Sequence, residues 1–154
     1  MNSLFIQKNC LNLPTDKKTF YLQITIIMKK KIRIEYPLSP ASGSMIWSAI
    51  STPAGLSGWF ADNVEKNGKK YTFKWGKTES RYADVTNTRS EYFIRFHWCD
   101  DEEPKSYFEF KIHYDELTSD YSLEVTDFTD PEEEEDTISL WNLQIDSLKR
   151  VCGI

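Results

Sequence analysis

The sequence predicts an α+β fold: an antiparallel β-sheet wrapped around a long C-terminal helix, with two short helices after the first strand. Three observations carry that expectation. Apolar and polar residues alternate in short runs, first from Lys31 to Tyr36 and again between Lys69 and Phe128. The stretch WSAISTPAGLSGWFAD, residues 47–62, is helical in its spacing, breaks at Pro-Ala-Gly and resumes with a Trp-Phe pair. From Asp130 to the end, one apolar stripe recurs at intervals of three and four.

The elements follow in order. KIRIEY, residues 31–36, puts Ile32, Ile34 and Tyr36 on one face of a half-buried strand, and Pro37 and Pro40 end it. Ser42 or Ser44 can cap a helix over about residues 43–50, whose Met45, Ile46, Ala49 and Ile50 form an apolar face. Pro53 and Gly55 stop it, and a second helical turn returns Leu56, Trp59 and Phe60 to the same surface. The period then changes to two. KKYTFKWGK places Tyr71, Phe73 and Trp75 together, with Asn67-Gly68 as a hairpin turn before them. TESRYADVTN reads as a strand whose inward face the pattern does not fix. EYFIRFHW turns Tyr92, Ile94, Phe96 and Trp98 inward; SYFEFKIHY turns Phe108, Phe110, Ile112 and Tyr114 inward; DYSLEVTDF aligns Tyr121, Leu123 and Val125.

The last segment opens with Asp130 as a candidate N-cap, Pro131 at the first helical position and four glutamates, and it closes with Lys149, Arg150 and a terminating Gly153. Acid at the start and base at the end both suit the helix dipole. Its stripe is Ile138, Trp141, Ile145, Leu148 and Cys152. An antiparallel sheet with one apolar face must bury it, and this helix is the only predicted element long enough to do so. The short helices then plug one end of the groove, with Trp47 and Trp59 as the wedges.

A chain of 154 residues suits one domain. Composition narrows the function classes. Three cysteines at unrelated spacings argue against a disulfide framework and suit a reducing, cytoplasmic setting. No apolar run reaches the roughly 20 residues of a membrane span. Residues 1–27 are expected to be an extension outside the fold, of the kind a translated leader would make, with an extra strand or arm as the alternative; their apolar stretch precedes its lysines, the reverse of a signal peptide. The domain proper is placed at residues 28–154. It carries 16 basic and 23 acidic side chains, net −7. Sixteen of the acids fall between Cys99 and Asp136 against only Lys105 and Lys111. Such a surface repels phosphate backbones, so nucleic acid is not an expected partner, although the lysines at 66, 69, 70, 74 and 77 could together hold an anion.

WSAISTPAGLSGWF resembles the Trp-x-Ala-Leu-Thr-x-Pro-x-x-Leu-x-x-Trp-Phe opening of the START-like, helix-grip domains, also called SRPBCC. The likeness extends to the spacing of Trp141, Ile145, Leu148 and Lys149 in the last helix. Within that superfamily it is similar to small bacterial proteins related to the heat-shock-protein ATPase activator homologues. The resemblance implies a cavity between sheet and helix that takes something apolar, with no fixed catalytic residues.

The expected ligand site is aromatic: Trp47 and Trp59 from the helical bend, Trp75, Tyr92, Phe96, Trp98 and Phe108 from the strands, and Trp141 with Ile145 from the last helix. Packing alone would also explain such rings, since removing one buried Trp costs about 3–5 kcal/mol. HWCDDEE, residues 97–103, mixes soft and hard ligand types without a metal-site spacing and reads better as a solvated hairpin end. Cys99 and His97 share a face, but an outward one; His113 has no evident partner, and Cys152 continues the core stripe. The phosphate-loop, zinc-protease and dinucleotide motifs are missing, so no metal or cofactor is expected. Catalysis would require an ionisable group in the cavity, for which Tyr82, Asp84 and Tyr121 are the candidates. The sequence therefore favours a non-catalytic domain that binds a small hydrophobic molecule, with a co-chaperone-like protein-interaction module as the alternative.

Overall fold

The structure, a computed structural model, describes residues 28–154. The predicted extension, residues 1–27, lies outside the described residues. Strand β1 (Lys30–Pro37) is followed by helices α1 (Gly43–Ser51) and α2 (Pro53–Leu56). Strands β2 (Asn63–Asn67), β3 (Lys70–Trp75), β4 (Glu79–Arg89), β5 (Phe93–Trp98), β6 (Phe108–Asp115) and β7 (Asp120–Thr129) come next. A 3-10 turn (Pro131–Glu133) leads into α3 (Glu134–Cys152). The seven strands form one antiparallel sheet in the order β1-β7-β6-β5-β4-β3-β2, so only β1 pairs out of sequence, with β7.

Local chemistry explains the helical bend. The Ser42 side chain accepts from the Met45 amide at 3.2 Å and opens α1. Thr52 ends that helix through its own amide to the Ser48 carbonyl and opens the next by accepting from the Gly55 amide at 2.9 Å, with Pro53 at the first helical position. A Cβ on Gly55 would sit 2.7 Å from the Ala49 Cα, so the two helices meet this closely only because residue 55 has no side chain. The bend brings Trp59 back under α1, where its indole donates to the Ala49 carbonyl at 2.9 Å.

The core lies between the sheet and the three helices. Ile46, Ala49 and Ile50 of α1, Leu56 of α2, and Trp141, Ile145 and Leu148 of α3 are buried against Phe73, Phe96, Phe108, Phe110 and Leu123 of the sheet. Gly153 caps α3 in the left-handed region at φ 74°, with its amide donating to the Arg150 and Lys149 carbonyls. Phe108 lies opposite Phe96 in the β5–β6 register and stacks on it at 4.9 Å.

Four expectations need correction. Tyr92 is 40% exposed, because β5 starts one residue later and the alternation does not extend into the turn. Tyr114 is 51% exposed near the end of β6, where it packs beside its register partner Tyr121 at 4.7 Å. Met45 faces solvent, since α1 buries only Ile46, Ala49 and Ile50. Asp130 makes no side-chain cap bond; the chain enters α3 through the 3-10 turn, whose geometry takes up the first acidic residues.

Candidate functional site

A cleft of about 360 Å³ opens where the β3–β4 hairpin faces α3. Its floor and walls are Phe60, Trp75, Trp98, Phe108 and Trp141, and Leu140 and Gln144 of α3 stand along its edge. Arg81, Trp98, Asp127, Thr137 and Leu140 also line a neighbouring, more polar hollow of about 520 Å³, so the two form one groove beside α3. The whole groove is open to solvent.

Phe60 is the hub of the aromatic floor. It lies parallel to Trp141 at 5.9 Å and to Phe108 at 5.7 Å, and edge-on to Phe73 at 5.0 Å. Trp98 stacks on Phe108 at 4.7 Å, and the Trp75 indole donates to the Phe60 carbonyl at 3.0 Å. Rings held edge-to-face and offset in this way fix the floor in one arrangement. The bend after α2 is what delivers Phe60: Trp59 anchors below α1, and the Phe60 ring, 5.6 Å from that of Trp59, packs onto the cleft floor.

Charged side chains enter this aromatic setting from two strands. Arg81 lies with its guanidinium 3.9 Å over the Trp98 ring and forms a two-pronged pair with Asp100 at 2.8 and 3.0 Å, which holds the Asp100 carboxyl below its usual range. Lys29 reaches Asp101 at 2.7 Å with both side chains nearly buried. Burial pushes the Asp101 carboxyl up, but Lys29, the Ser106 hydroxyl and the Glu103 amide outweigh it and lower the net value. Asp127 is the reverse case. Its Oδ2 accepts from the Trp141 indole at 2.9 Å and its Oδ1 from the Phe128 amide at 2.8 Å, yet burial dominates and raises its pKa. The Asp127 carboxyl thus sits in the cleft beside indole rings, at a site that favours its neutral form.

The predicted site residues divide. Trp75, Trp98, Phe108 and Trp141 meet in the cleft. Trp59, Phe96 and Ile145 are buried beneath it in the core, Trp47 packs half-buried against that core without lining the cleft, and Tyr92 is exposed in the β4–β5 turn, away from the lining. None of the catalytic candidates Tyr82, Asp84 and Tyr121 lines the cleft; Asp84 pairs with Lys70 at 3.2 Å on the outer face. The acidic turn is divided among separate partners: His97 contacts the Ser106 carbonyl at 2.8 Å, and Asp100 and Asp101 take Arg81 and Lys29. In the lysine cluster, Lys70 and Lys74 are already paired, the latter with Glu65 at 3.1 Å.

Phe60, Arg81 and Asp127 line the cleft without having been expected there. A signal for Asp127 was present: it continues the parity of Tyr121, Leu123 and Val125, so the inward face of β7 carries a carboxylate before it ends at Thr129. Arg81 shares the parity of Ala83 and Val85, but the β-bulge between Val85 and Asn87 reverses that parity in the rest of β4, so the strand as a whole shows no single inward face.

The profile of the START-like superfamily domain matches residues 26–154. No curated protein matches. Among solved structures, the solution structure of BfR322 from Bacteroides fragilis is 51% identical, with 82% of this chain and 93% of that chain covered and a TM-score of 0.60. Aha1 from Colwellia psychrerythraea, described as a dimer, is 16% identical over 81% of this chain and 97% of its own, with a TM-score of 0.66. DynU16, a protein of the dynemicin biosynthetic locus, is 15% identical over 78% of this chain and 46% of its own, at 0.63. The last two likenesses concern the fold. No helix among the described residues is long and apolar enough to cross a membrane.

Proposed function

The chain belongs to the START-like superfamily, and we propose that it uses the fold as a binding domain, holding a small hydrophobic molecule in the cleft between the β3–β4 hairpin and α3. The observation that carries this reading is the cleft of about 360 Å³ floored by five aromatic rings, at the lower end of the range that small-molecule sites occupy. Trp75, Trp98, Phe108 and Trp141 would supply flat apolar contact, and Asp127 and Arg81 would orient whatever polar group the ligand carries.

Native mass spectrometry of the full chain purified from its own host tests this reading. The expected result is a non-covalent mass increment that Trp98→Ala reduces. An unliganded mass, together with tryptophan fluorescence that does not respond to added hydrophobic molecules, would overturn it.

A second reading, a protein-interaction module, draws on the exposed leucines of α3, Leu143 at 66% and Leu140, at the cleft edge, at 57%, beside an acidic helix start. Under that reading Leu143→Glu abolishes partner binding and leaves small-molecule uptake untouched.

A further inference from the structure

Resting on the reading of the cleft as a small-molecule site, we propose that its ligand is an amphipathic organic cation, a primary amine on an apolar body, with the ammonium between Asp127 and the indole ring of Trp75.

Charge complementarity points that way. The groove contains two cations, and each is already matched: Arg81 is clamped to Asp100 and Lys29 to Asp101. An anionic ligand would have to displace one of these carboxylates. Asp127 and, on the hairpin end opposite α3, Glu79 line the same cleft, and no salt bridge reaches either among the described residues. Glu102, Asp130 and Glu133, equally without a salt bridge, line the adjoining hollow. The ionisable groups that face a ligand without an ionic partner are therefore all acids; burial alone favours the neutral form of Asp127, and a cation bound beside it would favour the carboxylate.

The aromatic wall supports the same conclusion independently. Arg81 already places an organic cation face-on over Trp98 at 3.9 Å, inside the cleft. No Lys or Arg stacks over Trp75 or Trp141 among the described residues. An ammonium group lodged at this wall would gain the part-exposed Trp75 ring and a carboxylate together, as cation-binding aromatic sites do, while Trp141, 5% exposed with one face on Phe60, fixes the acid. Asp127 Oδ2 is fixed by the Trp141 indole at 2.9 Å, so the acid and one of the rings are held in a constant relation.

Three probes with one tail and different heads test the proposal on the full chain: octylammonium, octanol and octanoate, titrated by calorimetry and by tryptophan fluorescence. Octylammonium is expected to bind about tenfold or more tighter than octanol, with octanoate weakest. Asp127→Asn should shrink the amine-over-alcohol ratio to about threefold or less, and Glu79→Gln, at the exposed mouth, should lower it by a smaller factor. Equal affinities for all three, or octanoate tightest, would overturn the cation assignment and leave the hydrophobic cleft standing. If none of the three binds, the cleft reading falls with it. Should Asp127→Asn fold poorly, Glu79→Gln decides alone: an unchanged ratio there counts against the proposal.

Discussion

At Asp127 the interests of folding and of ligand binding diverge. Its pKa is raised by burial, so in the folded state it binds a proton that the unfolded chain has already released. Stability from this group is therefore complete below the unfolded carboxylate value of about 4 and is lost as pH rises through the raised folded value. Asp127→Asn keeps an acceptor for the Trp141 indole and removes the charge. Its melting temperature relative to the unmodified protein should rise between pH 4 and pH 7, as thermal melts across that range would show; a relative fall would mean that the ionised carboxylate stabilises the fold. Asp101 has the opposite sign. Lys29, Ser106 and the Glu103 amide hold its pKa down, so its contribution is present at neutral pH and disappears as pH falls below about 4. Asp101→Ala leaves a nearly buried Lys29 unpaired and should cost about 3 kcal/mol in urea unfolding at pH 7, with the deficit shrinking in acid. Trp141→Ala removes the Phe60 stack and the Asp127 donor at once, a loss of about 3–5 kcal/mol by the same measurement.

The helical bend shows how one small residue fixes the placement of an element. Without Gly55, α1 and α2 cannot approach as they do, and Phe60 is no longer delivered to the cleft floor. The obstruction is backbone of α1, which cannot swing aside as a flexible side chain would. Gly55→Ala should therefore destabilise the domain by about 1–3 kcal/mol and, unlike a surface change, weaken ligand uptake as well; a neutral effect on melting would show that the two helices can separate without consequence. Elements of this kind were legible wherever a period ran unbroken. The Trp141, Ile145 and Leu148 stripe of α3 and the alternations of β3, β5, β6 and β7 each marked the buried face correctly through the middle of the element. Legibility failed at ends and at breaks. Tyr92 and Tyr114 continue an inward parity to exposed positions at or beyond the ends of their strands, and the bulge in β4 reverses parity beyond Val85. The polar part of the cleft went unseen for a chemical reason. An aspartate at the end of an apolar parity reads as the start of a turn, and only its position beneath α3 makes it part of a site.

For the molecule as a whole, the groove is where the two halves of the charge pattern meet. β3 and β4 supply Trp75, Glu79 and Arg81; the acidic later part supplies Asp127 and α3. Both ends of the described chain contribute, because β1 is zipped to β7 along its whole length, from Lys30 opposite Thr129 to Pro37 opposite Ser122, and Lys30 also reaches Glu134 of α3 at 2.6 Å. Lys29, just before β1, is tied to Asp101 across the groove. We propose that the folded unit starts at Met28, since its first strand is paired with β7 along its whole length and its terminal helix is seated on the sheet. A chain beginning at Met28 is accordingly expected to melt within about 3 °C of the full chain, a shift that corresponds to less than about 1 kcal/mol for a domain of this size. It should also keep the probe preference of the cleft, since every lining residue is retained. Moving the start to Ile32 removes Lys29 and its partnership with Asp101, and with Lys30 and Lys31 the first two rungs of the β1–β7 ladder. That chain should lose several times more stability than the Met28 chain. Equal melting of the two would remove Lys29 from the structural account, whereas a drop of about 10 °C or more already at Met28 would place residues 1–27 inside the folded unit.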